Sequence, residues 1–250
     1  LHLGATEQET LGGVTTFKSF EAVLQASEAE GRADNLLLLT GDLASDCQPE
    51  AYRLLNKTLT EKAREAIWLP DNHDNVEIMQ TNLSAYPRAR IHQAESWSIL
   101  LLDSSKPGQP GGHFSDTELS FAAQSLKKLA GKPVLVAMHH SPVAVNSAWL
   151  DRQQIDNHQS LYEMLVAHGQ VQAVITGHVH QHHDSMWGTI PVYSTPSSCV
   201  QFEQHSDDFA LADQPPGYRW LDLHSDGSLH TGVKFLSDFA QRSDRSCAGY

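Results

Sequence analysis

Four short segments of the sequence combine histidine with aspartate or asparagine, the side chains that bind divalent metal ions. They are Gly41-Asp42, Asn72-His73-Asp74, His139-His140 and Gly177-His178-Val179-His180. In the last segment two imidazoles are one residue apart. In an extended chain the side chains of residues i and i+2 point to the same side, so His178 and His180 could converge on one object. A metal ion fits that description, provided that other segments supply further ligands.

Each of these segments follows a short apolar run, at residues 35–39, 66–69, 133–138 and 171–175. In open α/β sheets, ligands bind outside the carboxyl ends of the strands, so the four loops could meet at one rim. Asp, Asn and His suit a pair of divalent ions, with a carboxylate bridging the ions and imidazoles completing each shell. Asp and Asn after a strand are also ordinary turn formers, but four such segments together are hard to attribute to turns.

The elements that must position these residues alternate along the chain. We predict strands at residues 35–39, 66–69, 97–102, 133–138 and 171–175, because these runs are short, nearly continuous and bounded by turn residues. Helical spacing predicts helices at 16–30, 116–130 and 157–168, the second preceded by Ser115 with Glu118 completing a capping-box pattern. This alternation predicts an α/β sheet covered by helices. After residue 190 short strands follow, and no boundary interrupts a single domain over residues 1–250.

The composition is that of a soluble globular protein. The 250 residues are 40% hydrophobic, which is enough for a substantial core, and neither a spanning helix nor a signal peptide is visible. A net charge of −13 argues against nucleic acids and anionic membranes as partners. Three widely spaced cysteines indicate neither a disulfide framework nor a thiolate metal site, which favours the reducing cytoplasm.

The segments GDLASD, NHD, HHSP and GHVH resemble the successive motifs of the calcineurin-like metallophosphoesterases. The resemblance narrows to the bacterial class III phosphodiesterases of 3′,5′-cyclic AMP, because SAWLD, STPSSCVQF and PPGYRWLDLHSDGSL resemble segments of that subgroup outside the metal motifs. The similarity runs over nearly the whole chain. It implies a four-layer αββα sandwich, with two sheets face to face and helices outside.

The resemblance also implies a site with two divalent metal ions. Asp42 would bridge both ions, with His2 and His180 holding one. Asn72, His139 and His178 would hold the other, His139 being preferred to His140 because the family's ligand lies three positions before the motif proline. Fe²⁺ or Mn²⁺ are the expected ions, with Mg²⁺, Co²⁺ or Zn²⁺ compatible. His73 would act on the leaving oxygen as the catalytic residue, and the product from cyclic AMP would be 5′-AMP.

The sequence departs from the family pattern at two places. The first motif, D-x-H, has its His at position 2, and its Asp and the strand that carries it would precede Leu1, so we expect an N-terminally truncated domain. Position 71 is Asp where the family usually has Gly. If that turn requires a positive φ, Asp costs on the order of 1 kcal/mol and adds negative charge beside the site.

Three hypotheses follow. The first is a dinuclear cyclic-nucleotide phosphodiesterase. The second is a phosphodiesterase or phosphomonoesterase of broader specificity, which the subgroup-like C-terminal segments oppose. The third is a catalytically silent metal-binding protein, which the two departures favour. The oligomeric state and the choice between cyclic AMP and cyclic GMP are left open by the sequence.

Overall fold

Twelve strands and six helices alternate through the computed structural model, which describes residues 1–106, 108–247 and 249. The strands are β1 (Thr10–Leu11), β2 (Val14–Thr15), β3 (Leu37–Leu39), β4 (Ala66–Trp68), β5 (Ile91–Gln93), β6 (Ser98–Leu101), β7 (Val134–Met138), β8 (Val171–Thr176), β9 (Asp184–Trp187), β10 (Ile190–Ser194), β11 (Gly217–Leu223) and β12 (Leu229–Phe235). The helices are α1 (Thr16–Ala29), α2 (Pro49–Glu61), α3 (Val76–Asn82), α4 (Asp116–Lys128), α5 (Ala148–Asp151) and α6 (His158–His168). The α/β class predicted from the alternation is confirmed.

The largest sheet has six strands in the order β5-β6-β7-β8-β10-β9. Strands β6, β7, β8 and β10 run parallel, and the edge strands β5 and β9 are antiparallel to their neighbours. Every residue of β7 is buried, as expected for a strand covered on both faces. Parallel strands place their carboxyl ends at one edge, so the loops after β7 and β8 leave the sheet side by side.

Alternate residues of β7 enter two different cores. Val134, Val136 and Met138 pack with apolar residues of α4 and α6, whereas Leu135 and Ala137 pack against the second β layer. This follows from the two-residue period of a strand. Burial of each such side chain contributes roughly 1.5–3 kcal/mol to the stability of the fold.

The second β layer consists of two separate pairs. Strands β3 and β4 are parallel, and β11 and β12 form an antiparallel hairpin. Leu38 and Ile67 from the first pair, together with Leu221 from the second, join the core that faces the six-stranded sheet. The outer face of β3 and β4 packs against α1, α2 and α3. The order of layers is therefore helices, β pairs, six-stranded sheet and helices, which is the four-layer arrangement that the resemblance implied.

The second layer is not one continuous sheet. A cavity of about 650 Å³ separates β3 from β11, and both strands line it together with Leu1, Ile99 and Ile175. The cavity also reaches Asp42 and His180, at the rim where the loops meet. Among the described residues no strand lies between β3 and β11, so the hydrogen-bonded sheet is interrupted here.

The ends of the helices follow the sequence signals in most respects. Ser115 caps α4 by accepting the N–H of Glu118 at 3.1 Å, and Gly169 ends α6 in the left-handed conformation with φ 66°. The second half of the capping box is absent, because the Glu118 carboxylate instead binds Arg90 and the backbone N–H of Asp103. Among the described residues, no helix combines the length and apolar character needed to span a bilayer.

Candidate metal centre

Asp42 lies in a buried cluster of histidines. Its Oδ2 atom is 3.2 Å from His2 Nε2 and 3.5 Å from His139 Nε2. His180 Nε2 is 4.0 Å from the same oxygen and 3.0 Å from His2 Nε2. His139 Nε2, in turn, is 3.2 Å from His178 Nδ1. We call His2 with His180 the His2 side of Asp42, and His139 with His178 the His139 side.

The loops that carry these residues follow parallel strands, so the predicted meeting of four loops at one rim is confirmed. Asp42 follows β3, Asn72 follows β4, His139 follows β7, and His178 and His180 follow β8. The fifth contributor, His2, immediately precedes the bridge residue Leu3, and its N–H donates to the Asp42 carbonyl at 2.7 Å. The assignment of individual residues as metal ligands stays a prediction.

The geometry of His178 and His180 differs from the prediction. Neither residue is in an extended segment, because both have left-handed backbone with φ 61° and 46°. His178 consequently contacts His139, whereas His180 contacts His2 and stacks on Phe202 with ring centroids 4.3 Å apart. The two imidazoles therefore lie on different sides of Asp42 and do not converge on one point.

Left-handed backbone recurs in the cluster. His2 and Asp42 also have positive φ, at 54° and 52°, so four of the six predicted ligands adopt this conformation. Each such non-glycine residue costs on the order of 1–3 kcal/mol, and strain of this kind concentrates at functional sites because the surrounding fold imposes it. The fold is thus less stable than it would be without these conformations, which direct the side chains at one another.

The structure distinguishes the two adjacent histidines after β7. Both ring nitrogens of His140 have partners, because Nδ1 is 2.9 Å from the Ser104 hydroxyl and Nε2 is 3.1 Å from the Pro110 carbonyl. His139 instead directs Nε2 towards Asp42 and His178. Burial lowers the pKa of His140 to about 3, and the neighbouring His139 acts in the same direction. This arrangement favours His139 as the ligand and gives His140 a role in holding the loop that contains Ser104.

The condition on which strain at Asp71 depended is not met. Asp71 does not have a positive φ, and its buried carboxylate accepts hydrogen bonds from the backbone N–H groups of Asp42 and His73. The glycine requirement in this region falls on Gly41, which has φ 97° and whose Cβ would overlap the Asp71 carboxylate and the His139 ring. The position in this region that needs a left-handed backbone and no Cβ is therefore Gly41 and not residue 71.

Asp74 has a structural role that the sequence reading did not assign. Its carboxylate accepts the Tyr52 hydroxyl at 2.6 Å and the backbone N–H groups of Leu43 and Ala44 at 3.2 and 3.3 Å. Burial raises the pKa of Asp74 to about 7, and the charge of Asp42 adds to this, whereas the Tyr52 hydrogen bond opposes it. Asp74 therefore fixes the loop after β3, and with it the backbone of Asp42. The sequence feature that could have indicated this role is the acidic residue directly after His73.

His73 lies beside the His2 side of Asp42. Its ring centroid is 5.5 Å from that of His2, with the rings nearly perpendicular. The Nδ1 atom is 3.3 Å from the carbonyl oxygen of Ser45. Because a carbonyl oxygen only accepts, this contact requires hydrogen on Nδ1 and orients the ring.

The buried setting determines the charges of the cluster. Burial lowers the pKa of His2, His139, His178 and His180, which keeps these imidazoles neutral near pH 7. Burial alone would raise the pKa of Asp42, but the adjacent His2 and His139 outweigh it and hold the pKa of this carboxyl well below its usual range. Neutral imidazoles around an ionised carboxylate are the protonation states that metal binding requires.

The side chains fit divalent metal ions. Asp42 Oδ1, Asn72 Oδ1 and His178 Nε2 are buried and have no hydrogen-bond partner among the described residues. Buried polar atoms are normally satisfied, so such atoms in one cluster indicate a ligand that completes them. His2, Asp42 and His180 each offer an atom within 4.8 Å of the others, as do Asp42, Asp71 and His139. Nitrogen and oxygen donors in this mixture suit divalent transition metals.

Comparison with known proteins gives relatives along the whole chain. Residues 1–182 match the calcineurin-like phosphoesterase family. A 3′,5′-cyclic-nucleotide phosphodiesterase of Nostoc sp. is 37% identical over 236 residues, which cover 94% of this chain and 89% of the relative. The 3′,5′-cyclic adenosine monophosphate phosphodiesterase CpdA of Escherichia coli is 35% identical, covering 100% and 92%. CpdA of Pseudomonas aeruginosa is 34% identical, with the same coverage.

Solved structures agree on the fold. A dimetal phosphatase from Danio rerio superposes with a TM-score of 0.56 at 15% identity, covering 92% of this chain and 87% of that one. TT1561 of Thermus thermophilus superposes with a TM-score of 0.54 at 14% identity, covering 86% and 92%. The family match and the relatives confirm the resemblance seen in the motifs, and the solved structures agree with it on the fold. The chain belongs to the calcineurin-like phosphoesterase family.

Proposed function

We propose that this protein hydrolyses 3′,5′-cyclic AMP to 5′-AMP at a site for two divalent metal ions. The observation that carries the proposal is the 34–37% identity to cyclic-nucleotide phosphodiesterases over 94–100% of the chain. This identity extends past residue 182, where the family match ends, into the segments that the sequence analysis associated with the cyclic-nucleotide subgroup. A relationship limited to the metal motifs would not include those segments.

We assign the metal ligands as the sequence predicted them. Asp42 would bridge two ions, His2 and His180 would complete one shell, and Asn72, His139 and His178 would complete the other. The position of Asp42 Oδ2 within 3.2–4.0 Å of three imidazole nitrogens supports this assignment. Fe²⁺ and Mn²⁺ are our first choices, because the donors mix imidazoles with carboxylate and amide oxygens; Mg²⁺, Co²⁺ and Zn²⁺ are compatible.

The chemistry of the ions is general. When bound, two divalent ions would neutralise the non-bridging oxygens of a phosphodiester and lower the pKa of water towards about 7. Asp42 and the neutral imidazoles would hold the two ions in a buried setting, where electrostatic interactions are stronger than in bulk water. In the reaction the oxygen of a water molecule forms a bond to phosphorus, and the bond from phosphorus to the ribose 3′ oxygen breaks.

His73 is our candidate for the residue that acts on the departing oxygen. Its Nδ1–H is directed at the Ser45 carbonyl, which aims the other edge of the ring away from that loop. With hydrogen on both ring nitrogens, the protonated ring would give its Nε2 proton to the ribose 3′ oxygen as that oxygen leaves, and it would end as the neutral ring with hydrogen on Nδ1. General-acid catalysis of this kind typically contributes 10²- to 10⁴-fold to the rate.

The charge of the protein bears on its partners and location. The substrate is an anion and the net charge of the protein is −13, so the positive charge for substrate binding has to be local, as metal ions provide. We propose no nucleic-acid or membrane partner for the same reason. All three cysteines are free thiols, which supports our proposal of a reducing compartment, the cytoplasm.

The test is a substrate panel assayed with the purified protein. Cyclic AMP, cyclic GMP, 2′,3′-cyclic AMP and p-nitrophenyl phosphate would be offered with Mn²⁺ or Fe²⁺, before and after chelation. We expect metal-dependent hydrolysis of 3′,5′-cyclic nucleotide to exceed hydrolysis of the monoester. Comparable rates on all four compounds would support the broader esterase instead, and bound metal without turnover would support a silent metal-binding protein.

A further inference from the structure

Asp71 occupies the position at which the motif resemblance predicts glycine, and its side chain joins three loops. The residue is 2% exposed. Its Oδ1 accepts the N–H of His73 at 2.8 Å, and its Oδ2 accepts the N–H of Asp42. Oδ2 is also 3.2 Å from His139 Nδ1. One carboxylate therefore connects the loops that follow β4, β3 and β7.

The surroundings of His139 determine where its hydrogen lies. Nδ1 is 2.7 Å from the carbonyl oxygen of Thr40 and 3.2 Å from Asp71 Oδ2. A carbonyl oxygen accepts and does not donate, so the 2.7 Å contact with Thr40 places the hydrogen of His139 on Nδ1. In the neutral ring Nε2 then keeps its lone pair. That atom faces Asp42 and His178, at 3.5 and 3.2 Å.

We propose that Asp71 is a positioning residue for His139, holding the ring in the tautomer that presents Nε2 to a metal ion. The inference rests on the proposed function, because it takes His139 as a metal ligand. Carboxylates that accept the second N–H of a ligating histidine fix its orientation and raise its basicity. Thr40 supplies one oxygen on the Nδ1 edge of the ring, and Asp71 adds a second on the same edge.

The geometry favours this role over direct binding of a metal by Asp71. Its carboxylate lies on the Nδ1 edge of His139, whereas Asp42 and His178 lie near Nε2. The two N–H donors and the imidazole already surround its two oxygens.

Small residues allow the contact. A Cβ on Gly177 would be 3.2 Å from His139 Nδ1 and 2.7 Å from the Thr40 carbonyl oxygen. A Cβ on Gly41 would overlap both His139 and Asp71. The ring and its two acceptors therefore fill a space from which other side chains are excluded, which leaves His139 little freedom to turn.

The test compares Asp71→Asn and Asp71→Gly with the wild type. Asp71→Asn keeps the size but has a single oxygen, which cannot accept from both Asp42 and His139 while also accepting from His73. In the metal-free protein, the ¹⁵N shifts of His139, assigned with His139→Gln, report the tautomer. In titrations with Mn²⁺ followed by elemental analysis, we expect one ion to bind about 10- to 100-fold more weakly and the other to be unchanged.

Asp46→Asn is the matched control, because Asp46 is exposed in the loop that carries Asp42 and the same side chain is exchanged. We expect it to keep the wild-type affinities and tautomer. Unchanged affinities in both Asp71 variants, equal losses of both ions, or a weakened ion with an unchanged His139 tautomer would each overturn the proposal. If the wild type fails to bind two ions, the ligand assignment fails, and the tautomer in the metal-free protein still decides whether Asp71 acts on His139.

Discussion

The two sides of Asp42 are held in different ways. His139 follows a fully buried strand, and its ring is fixed by Thr40 and Asp71. His2 lies in a short segment attached by a single parallel bridge, between Leu3 and Ala44, and by backbone and Ser45 hydrogen bonds. The cavity between β3 and β11 also borders Leu1. Both residues of the His139 side thus follow strands of the main sheet, whereas on the His2 side only His180 does and His2 is attached to the loop after β3. We expect the ion on the His2 side to bind more weakly.

The largest effect should come from the residue that both sides share. Asp42→Ala should remove most of both ions and reduce turnover by more than about 10³-fold, because activation of water depends on the bound ions. Elemental analysis and cyclic AMP turnover would check this. Near-normal occupancy of both ions would reject Asp42 as the bridging ligand.

His73 should affect catalysis without affecting either side. We expect His73→Ala to keep both ions and to lose about 10²- to 10⁴-fold in kcat, because its proposed hydrogen bond strengthens only as the leaving oxygen gains charge. Steady-state kinetics with metal analysis of the same samples would measure this. A change confined to KM would exclude the role.

Single ligand substitutions should separate the two sides. His2→Ala and His139→Ala should each retain about one equivalent of metal, and His2→Ala should retain the tighter ion. His140→Gln is the control, since both ring nitrogens of His140 have protein partners, and it should retain two equivalents. If His2→Ala and His139→Ala leave ions of equal affinity, the difference between the sides that we infer does not exist.

Acid should destabilise the metal-free protein through both sides together. The pKa values of His2, His139, His178 and His180 are lowered by burial, so below about pH 6.5 the unfolded chain binds protons that the folded chain does not. The stability that these four histidines contribute is therefore fully present above the pKa they have in the unfolded chain. It is lost as the pH falls towards their lower pKa values in the folded protein. The loss approaches about 1.4 kcal/mol per pH unit for each histidine.

Asp74 partly opposes this trend. Its pKa is raised to about 7, so it contributes stability at low pH that is lost as pH rises through 7. Urea unfolding of chelated protein from pH 8 to pH 5 would measure the balance, and we expect the histidines to dominate because they are more numerous. A metal-free protein equally stable at pH 5 and pH 8 would contradict the neutral, buried cluster.

The smallest effect should come from crowding the His139 side. Gly177→Ala would place a Cβ 2.7 Å from the Thr40 carbonyl oxygen and 3.2 Å from His139 Nδ1. We expect a loss of about 1–3 kcal/mol in unfolding free energy and weaker binding of one ion. Gly111→Ala is the control, because its Cβ would meet Gln153 at an ordinary 3.5 Å. Equal stability of the two variants would mean that the His139 side tolerates movement.

Much of this arrangement was accessible from the sequence, because it depends on local patterns. The apolar runs before Asp42 and His139 predicted strands, and the common direction of parallel strands predicted that their loops meet. The conformations of His178 and His180 were not accessible, since a left-handed backbone at a non-glycine residue is imposed by tertiary contacts. Asp71 was read as a local turn residue for the same reason, although its partners come from loops after β3 and β7.

The pairing of the strands was less accessible from the sequence. Hydrophobic patterns identify β3 and β11 as strands but do not say which strands pair. Glu118 gives a smaller instance, because its capping-box position was recognised but its carboxylate is used by Arg90 and Asp103. Local propensity gave the element in each case, and tertiary contacts decided its partners.

The contact between His2 and His180 joins residues that are 178 positions apart. A contact of such sequence separation closes a long loop at an entropic cost, so we expect the cluster to be completed late in folding. Metal ions that bind the completed cluster would then stabilise the native state more than the folding transition state. We expect them to slow unfolding while leaving the folding rate nearly unchanged, so that loss of metal shortens the lifetime of the folded protein.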